Sequence, residues 1–207
     1  METFSNEQEE IFVGSMLGDG SINKTSKETY NSHYAVLRKT TDIEYLEWHA
    51  KKFNNFCKPD PIRHRSTFDQ RTNKTYYASR FRTKSTKLFT NQRLIWYKDA
   101  KKIVPNNIQL SPLSIAIWFC DDGNISINNK QLLLGFATDS FSEQEVHYLK
   151  NLLEASIDYK LIVNKHEKGF IIRGSTGASL ALAHTIKNFM PKGMDRKLSK
   201  YNDWLIR

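Results

Sequence analysis

Two acidic residues, Asp19 and Asp122, end matching phrases that lie about half the chain apart. The phrases are IFVGSMLGDG at 11–20 and LSIAIWFCDDG at 113–123. Such a repeat predicts two pseudo-symmetric halves, each placing one carboxylate at a shared axis. Paired carboxylates are unstable unless a cation joins them, and Mg²⁺ prefers oxygen ligands while keeping waters for chemistry. The arrangement suits metal-assisted cleavage of a phosphodiester.

A lysine follows each of these aspartates at a similar interval, Lys102 in the first half and Lys197 in the second. A basic side chain near paired carboxylates could orient the attacking water or neutralise a phosphate. A single Asp-Gly would be explained by the turn that ends a helix. Two copies, each followed by a basic segment, favour a site instead.

The elements that must position these residues recur in the order helix, strands, helix, strands, helix, which predicts an α+β fold. Small residues, Gly14, Ser15 and Gly18 in the first phrase and Ala116 in the second, would let two helices cross closely. We predict a first half at 1–97, a linker at 98–111 and a second half at 112–207. Pro112 suits the first turn of its helix, and Asn6 can cap the first helix.

Periodicity and turn residues give the remaining elements. Ser142 followed by Glu145 is a capping-box pattern that opens one of the helices. We predict helices at 6–18, 41–56, 85–96, 112–122, 142–157 and 177–189, and strands at 21–27, 33–40, 62–68, 74–83, 124–128, 131–138, 159–165 and 169–173.

The charge is strongly uneven along the chain. The net charge is +9, and residues 61–102 contain twelve Lys or Arg but two acids, Asp69 and Asp99. A concentrated basic region indicates a nucleic-acid partner. In the strand at 74–83, alternation puts Lys, Tyr and two Arg side chains on one face, which fits a DNA major groove.

Candidate DNA-binding residues are basic or polar side chains on or near the predicted strands. The second-half strands are less basic, so we expect the second half-site to be bound more weakly. The candidates are Asn23, Lys24, Arg38, Arg63, Arg65, Lys74, Tyr76, Arg80, Arg82, Lys84, Lys165, Lys168 and Arg173.

Other features of the sequence limit the cellular compartments in which the protein is expected. Cys57 and Cys120 show no CxxC spacing, and the histidines are scattered, so a zinc site is not expected. These thiols predict a reducing intracellular compartment, either an organelle matrix or the cytoplasm and nucleoid, and not secretion. No apolar run is long enough for a membrane span, and the acidic N-terminus resembles neither a signal nor a transit peptide.

The two phrases resemble the LAGLIDADG motif, and the chain is similar to monomeric, intron-encoded LAGLIDADG homing endonucleases with two motifs. The Trp-Phe-x-Asp-Asp-Gly core of 113–123 is the more specific match, and 101–107, Lys-Lys-x-x-Pro-Asn-Asn, also agrees. The first phrase keeps Gly-Asp-Gly but departs from the motif at Val13, Ser15 and Met16.

This resemblance implies two αββαββα halves that form a saddle of antiparallel sheets, with the two motif helices at the central interface. It implies a monomer that hydrolyses one phosphodiester per strand of a long pseudo-palindromic double-stranded DNA target. Such cleavage would serve intron homing.

The resemblance also implies roles for the site residues. Asp19 and Asp122 would bind Mg²⁺, although Mn²⁺ or Ca²⁺ could occupy the same site, and backbone carbonyls of Gly18 and Asp121 would assist. The basic residues of the two active sites would be Lys102 and Lys197.

Three alternatives stay open at this point. An RNA maturase that assists group I intron splicing could use the same fold and would bind intron RNA. A DNA-binding regulator with an inactive nuclease core would have no use for two adjacent like charges. A structural or protein-interaction module would leave the basic stretch unexplained.

Overall fold

The computed structural model describes residues 2–24 and 30–206. The first half carries three helices, a four-stranded sheet and a short hairpin. Its elements are α1 (Asn6–Leu17), β1 (Gly20–Lys24), β2 (Ser32–Lys39), α2 (Ile43–Lys52), β3 (Ile62–Asp69), β4 (Lys74–Arg82), α3 (Lys87–Trp96), β5 (Tyr97–Lys98) and β6 (Lys101–Lys102).

The second half repeats the pattern and adds a C-terminal helix. Its elements are α4 (Pro112–Asp122), β7 (Gly123–Asn128), β8 (Gln131–Phe136), α5 (Glu143–Ile157), β9 (Ile162–His166), β10 (Gly169–Gly174), α6 (Thr176–Ile186) and α7 (Ser199–Leu205). Short 3₁₀ turns lie at Thr40–Asp42, Asn54–Phe56, Lys187–Phe189 and Asp195–Leu198.

The two sheets have matching topology. Their strand orders are β1-β2-β4-β3 and β7-β8-β10-β9, and all the pairs are antiparallel. Helices α2 and α3 cover one side of the first sheet, and α5 and α6 cover one side of the second. The predicted α+β fold with repeated αββαββα halves is confirmed. The division at 98–111 stays a prediction.

The helix starts follow from their caps. Ser142 and Glu145 form the expected capping box, and Pro112 opens α4. For α1 the cap prediction was wrong by one residue: Ser5 is the N-cap, because its hydroxyl accepts from the Gln8 backbone amide and the Gln8 side-chain oxygen accepts from the Ser5 backbone amide. Asn6 is therefore the first helical residue.

Other elements differ from the sequence prediction or were not predicted. The β5–β6 hairpin was not predicted; it begins at Tyr97 and continues into the predicted linker, and its turn residues Asp99 and Ala100 both adopt positive φ. Helix α2 stops at Lys52 and a separate 3₁₀ turn reaches Phe56. Helix α7 was not predicted at all. The last part of the strand predicted at 21–27 lies outside the described residues.

The cores of the two halves differ in kind. In the first half, buried rings meet in edge and tilted contacts, including Phe12 with Tyr34 at 5.3 Å and Tyr34 with Phe53 at 5.3 Å. In the second half, the buried layer between sheet and helices is mainly aliphatic, as at Leu134, Leu149 and Leu182. No helix within 2–24 and 30–206 is long and apolar enough to cross a membrane.

Helices α1 and α4 pack directly against each other, and two glycines allow it. A methyl group on Gly14 would overlap the backbone carbonyl of Ser114 and lie 2.8 Å from the Ile117 Cβ. One on Gly18 would overlap the Asp121 side chain. These two helices therefore approach closely along their length, which brings their C-terminal ends together.

Gly14→Ala is expected to lower the free energy of unfolding by about 2 kcal/mol, since overpacking against a backbone outweighs the better helix propensity of alanine. Gly135→Ala is the matched control. Its methyl would meet flexible side-chain ends, Asn124 Oδ1 at 2.5 Å and Arg173 Nη1 at 2.9 Å, which can move. Urea titration of both variants measures the difference. Equal losses would show that close helix packing at Gly14 is not required.

Candidate functional site

The ends of α1 and α4 bring three carboxylates to one place. Asp19 follows α1 and its side chain is 40% exposed, whereas Asp121 and Asp122 are the last two residues of α4. Burial, and then the charge of Asp19, raise the pKa of Asp122 to about 6, while Lys102 and Lys197 oppose that shift. The charge of Asp19 therefore reaches Asp122 and disfavours its ionised form.

Asp121 is a buried anchor between the halves, with a side chain that is 0% exposed. Its Oδ2 accepts from the Asp19 amide at 3.1 Å, and its Oδ1 accepts from Tyr45 Oη at 3.1 Å and from Arg38 Nη1 at 3.2 Å. Burial raises its pKa, and the Arg38 charge opposes that rise. Because it is bound on three sides, this side chain ties α4 to the first half.

The two predicted lysines occupy equivalent positions. Lys102 Nζ donates to the carbonyls of Gly18 at 2.7 Å and Gly20 at 3.0 Å, and Lys197 Nζ donates to the carbonyl of Gly123 at 2.6 Å. Gly20 and Gly123 each follow a motif aspartate. Burial lowers the pKa of both lysines; Asp122, Asp121 and Asp19 partly offset this shift for Lys102, and Cys120 and Asp121 partly offset it for Lys197.

Different elements deliver these lysines. Lys102 lies on β6, which pairs with β5 so that Tyr97 is opposite Lys102. The Tyr97 hydroxyl in turn accepts from the Ile22 amide at 3.1 Å and fixes the hairpin to β1. Lys197 lies in the 3₁₀ turn Asp195–Leu198, and its amide donates to the carbonyl of Met194. Neither supporting element was predicted from the sequence.

Arg38, a candidate DNA-binding residue, lies at the carboxylates, on the helix-covered side of the first sheet and not on its open side. Its guanidinium is ion-paired with Asp19 and Asp121 and donates to the Cys120 carbonyl at 3.2 Å, with 8% of the side chain exposed. On β2 it shares a face with Tyr34 and Val36, which are both buried. Although burial lowers it, the carboxylates of Asp121 and Asp19 raise the Arg38 pKa above its usual range.

Asp42 and Arg196 extend this ion-pair cluster, and the sequence pattern did not single them out. Asp42 Oδ2 is ion-paired with Arg38 Nη2 at 3.4 Å, and Asp42 Oδ1 accepts from Arg196 Nη2 at 2.6 Å. Arg196 precedes Lys197, so the cluster connects both halves next to the site. The spacing of four residues gave no signal for the Arg38–Asp42 pair, because it brings side chains together within a helix and Arg38 lies on a strand.

Five predicted DNA-binding cations share one side of the first sheet. Strand register places Arg63 opposite Arg80, and alternation puts the others on the same side, away from α2 and α3. Burial lowers the Arg80 pKa, as do the neighbouring charges of Arg82 and Arg65. We call this side the cationic face; its cations are Arg63, Arg65, Lys74, Arg80 and Arg82.

Two uncharged predicted residues also belong to the cationic face. Tyr76 lies opposite Thr67, and Asn23 on β1 donates from Nδ2 to Ser21 Oγ at 2.9 Å. His33, which sequence reasoning missed, lies there within 3.4 Å of Arg80 Nη2. Burial, then Arg82 and Arg80, lower its pKa to about 4, so the imidazole is neutral near pH 7.

The remaining predicted residues are placed differently. Lys24 and Lys165 alternate onto the helix-covered side of their sheets, beside Ile22 and Val163, so neither shares a face with the sheet residues expected to contact DNA. Lys84 follows β4, and its amide donates to the Phe56 carbonyl at 2.7 Å.

The open side of the second sheet is polar but less basic. Register places Arg173 opposite Gly135, with Asn124 on the neighbouring strand. Lys168 lies in the exposed turn between β9 and β10. The open side of the second sheet and the cationic face together form an uncovered surface beside the carboxylates. The positive charge of this surface is concentrated in the first half.

The donor set at the helix ends fits a divalent metal ion that prefers oxygen. Asp19 and Asp122 supply carboxylates whose mutual repulsion a cation would relieve, and the Gly18 carbonyl lies alongside, already accepting from Lys102. Among the described residues, no group of three or more His, Cys, Asp or Glu side chains could hold a metal. Two carboxylates completed by water and phosphate oxygens is an arrangement that Mg²⁺ commonly uses.

Comparison with known proteins identifies the class of this fold and site. A sequence model of the LAGLIDADG DNA endonuclease family matches residues 9–182. The chain therefore belongs to the LAGLIDADG DNA endonuclease family, and the resemblance inferred from its two motifs is confirmed.

Individual relatives are distant but cover most of the chain. DNA endonuclease I-ChuI of Chlamydomonas applanata is 26% identical, over 97% of this chain and 98% of its own length. Cytochrome b mRNA maturase bI2 of Debaryomyces hansenii is 28% identical, over 93% of this chain and 73% of its own. The homing endonuclease I-WcaI, solved bound to its DNA recognition sequence, shares the fold with a TM-score of 0.84 at 23% identity, covering 96% and 88% of the two chains.

Proposed function

We propose that this protein is a site-specific DNA endonuclease that cuts both strands of a long pseudo-palindromic target with divalent metal ions. The observation that carries the proposal is the pairing of Asp19 and Asp122 at the α1 and α4 ends. Each is accompanied by a lysine that holds the carbonyl of the following glycine. The cationic face next to this pair is the surface that would hold DNA.

Binding would depend chiefly on phosphate contacts from the cationic face. Its five cations, with Arg173 and Lys168 in the second half, would release counterions from the duplex, so affinity should fall steeply with salt. Arginines on the strands can also reach guanine edges in the major groove. The uneven charge supports tighter binding of the half-site beneath the first half.

The roles within the site follow from position. Asp19 and Asp122 would hold Mg²⁺, and a bound Mg²⁺ would activate water and stabilise the leaving oxygen. Lys102 and Lys197, partly buried beside the carboxylates, would orient water or neutralise charge that develops on the phosphate. Arg38 would hold Asp19 and Asp121 in place from the first half.

Cleavage of a randomised duplex library in Mg²⁺, followed by sequencing of the ends, tests the proposal. We expect discrete double-strand cuts at one related set of sequences, and none in EDTA. Tight, sequence-specific DNA binding without cutting in Mg²⁺ or Mn²⁺ would contradict nuclease activity and support a regulator.

A second candidate is an RNA maturase, which the 28% identity to the Debaryomyces hansenii maturase over 93% of this chain favours. Both activities could use one fold. Filter binding to group I intron RNA, with a scrambled RNA of equal length as control, separates them. Specific RNA binding combined with no specific DNA binding would put the maturase in place of the endonuclease.

Metal binding should weaken as pH falls through about 6, because Asp122 takes up a proton there and loses the charge that attracts the cation. Mn²⁺ titration of the protein–DNA complex followed by electron paramagnetic resonance measures this. Between pH 7.5 and 5 we expect roughly a tenfold loss of Mn²⁺ affinity, because pH 5 lies about one unit below the pKa of Asp122. A constant affinity over this range would exclude Asp122 as the titrating ligand.

A further inference from the structure

The two site lysines are carried by chain segments that are attached to the opposite half. Lys102 reaches the first motif, where its Nζ holds the Gly18 carbonyl, but the chain that follows it lies along α5 of the second half. Val104, two residues later, donates its backbone amide to Glu145 Oε1 on α5 at 2.7 Å. Two residues span at most about 7 Å of extended chain, so this hydrogen bond limits where the Lys102 backbone can lie.

Two further hydrogen bonds from α5 fix the rest of this segment. The Tyr148 hydroxyl donates to the Asn106 carbonyl at 2.7 Å, and Ser156 Oγ donates to the Leu110 carbonyl at 3.4 Å. The segment is therefore attached to the second half along its length, although the lysine that precedes it belongs to the site of the first motif.

Lys197 shows the same arrangement with the two halves exchanged. Its Nζ reaches the second motif, but Arg196, the residue before it, donates to Asp42 Oδ1 of the first half at 2.6 Å. Lys192, earlier in the same segment, is ion-paired with Glu44 at 3.2 Å. Both acidic partners lie at the start of α2, so the segment that carries Lys197 is attached to the first half.

The two acidic residues nearest the lysines, Asp42 and Glu145, occupy equivalent places in the fold. Helices α2 and α5 each follow the first two strands of their half. Asp42 is the N-cap of α2, and Glu145 is the third residue of α5. The same connection between the halves is thus built twice, once for each site lysine.

Glu145 has the chemistry of a firm acceptor. Its Oε2 accepts from the backbone amide and the hydroxyl of Ser142 at 2.7 and 2.6 Å, which leaves Oε1 for the Val104 amide. Although burial opposes the shift, the hydrogen bonds from Ser142 and Val104 lower the pKa of Glu145, so it is a carboxylate near pH 7. Hydrogen bonds to an ionised acceptor are about twice as strong as neutral ones. The capping box therefore both begins α5 and holds the segment after Lys102.

We propose that Glu145 and Asp42 are positioning residues, each of which places the site lysine of the opposite half through the segment that it holds. Glu145 would place Lys102, and Asp42 would place Lys197. The inference rests on the proposed nuclease function. It adds that each cut depends on correct docking of the two halves, because neither lysine is placed by its own half alone.

The test measures the cutting of each strand separately, on the selected target with a different dye on each strand, in single-turnover reactions of the full-length protein. Glu145→Ala should slow the cut of one strand about tenfold through misplacement of Lys102. The other strand should be cut at the parental rate, and the Kd for the target should not change. Arg196→Gln, which breaks the ion pair with Asp42, should slow the cut of the opposite strand instead.

Two variants of the capping box separate positioning from stability. Ser142→Ala weakens the cap of the same helix but leaves Glu145 Oε1 bonded to Val104, so it should lower the melting temperature while both strands are cut at the parental rate. Glu145→Gln keeps an amide oxygen that can accept from Val104, so it should recover most of the rate lost in Glu145→Ala.

Lysine labelling locates the change without any cleavage. With acetic anhydride and mass spectrometry, Glu145→Ala should show faster labelling of Lys102 and parental labelling of Lys197, and Arg196→Gln should show the reverse. Equal slowing of both strands, parental cutting by Glu145→Ala, or unchanged labelling would overturn the inference in an enzyme that still cuts. If the parent cuts no duplex, the proposed function fails, and the labelling still decides whether Glu145 places Lys102.

Discussion

Asp122→Asn should reduce double-strand cleavage by about a thousandfold, the effect of losing several kcal/mol of metal-derived transition-state stabilisation. Asp19→Asn should do the same. Binding of target DNA should persist in both variants, because each removes a negative charge beside the phosphates. Initial rates on a plasmid carrying the selected target, with binding measured in Ca²⁺, provide the comparison.

The two variants should differ in stability, which separates the loss of chemistry from a loss of folding. Burial and Asp19 already disfavour the Asp122 charge, so Asp122→Asn should be at least as stable as the parent. Asp19→Asn removes an ion-pair partner of Arg38 and should be less stable. Asp203→Asn, at an exposed position paired with Lys200, is the control for the substitution itself. Parent-like cleavage by Asp19→Asn or Asp122→Asn would exclude the two-carboxylate site.

Arg38→Met should lower the free energy of unfolding by about 3–5 kcal/mol, the usual cost of removing one partner of a buried ion pair. Its loss would leave Asp121, which is fully buried, beside Asp19 with no neighbouring cation inserted between them. Urea titration near pH 9, where Asp121 is ionised, measures the effect. The loss should shrink as pH falls through about 8, because burial raises the pKa of Asp121 to about that value and the protonated acid no longer needs the guanidinium.

Arg63→Met controls for the loss of an arginine from the same sheet. Arg63 is exposed on the cationic face and bonds to the carbonyl of the preceding residue, so its removal should change stability by less than about 0.5 kcal/mol. Arg38→Lys should recover part of the loss, since an ammonium restores the charge but not the planar fork. If Arg38→Met were as stable as Arg63→Met, the ion-pair cluster would not hold the halves together.

The parts of this site that depend on local sequence were predictable. Asp19 and Asp122 could be placed because a helix that ends at Asp-Gly leaves its final carboxylate at a defined point, and the repeat places two such points together. Strands β3 and β4 were equally predictable, since Ser79 and Phe81 alternate with Arg80 and Arg82, and the buried side identifies the cationic one.

Alternation along the strand decides which side of a sheet a side chain occupies. Residue type alone therefore does not give the side for Arg38 and Lys165. Both residues are basic and lie on strands, yet each lies on the helix-covered side of its sheet. The pattern Tyr34, Val36, Arg38 already contained that information, because two large apolar residues of one parity indicate the covered side. An arginine in that series predicts a buried acidic partner more strongly than an exposed DNA contact.

Other features depended on contacts between distant segments and had no local signal. The β5–β6 hairpin has strands of two residues, too short for periodicity, and its position depends on Tyr97 meeting β1. The 3₁₀ turn that carries Lys197 is likewise short. Sequence could name both lysines as candidates, but the carbonyls they hold emerge from tertiary packing.

The contact between α1 and α4 has a consequence for how such a molecule can change over evolutionary time. Gly14 and Gly18 form hollows on one helix, and Ser114, Ile117 and Asp121 fill them from the other. Two copies of the first helix would leave gaps, and two copies of the second would set bulky side chains and buried acids against each other. Neither helix is therefore complementary to a second copy of itself, and a gene that encoded one half alone would not give a symmetric dimer with the same helix contact.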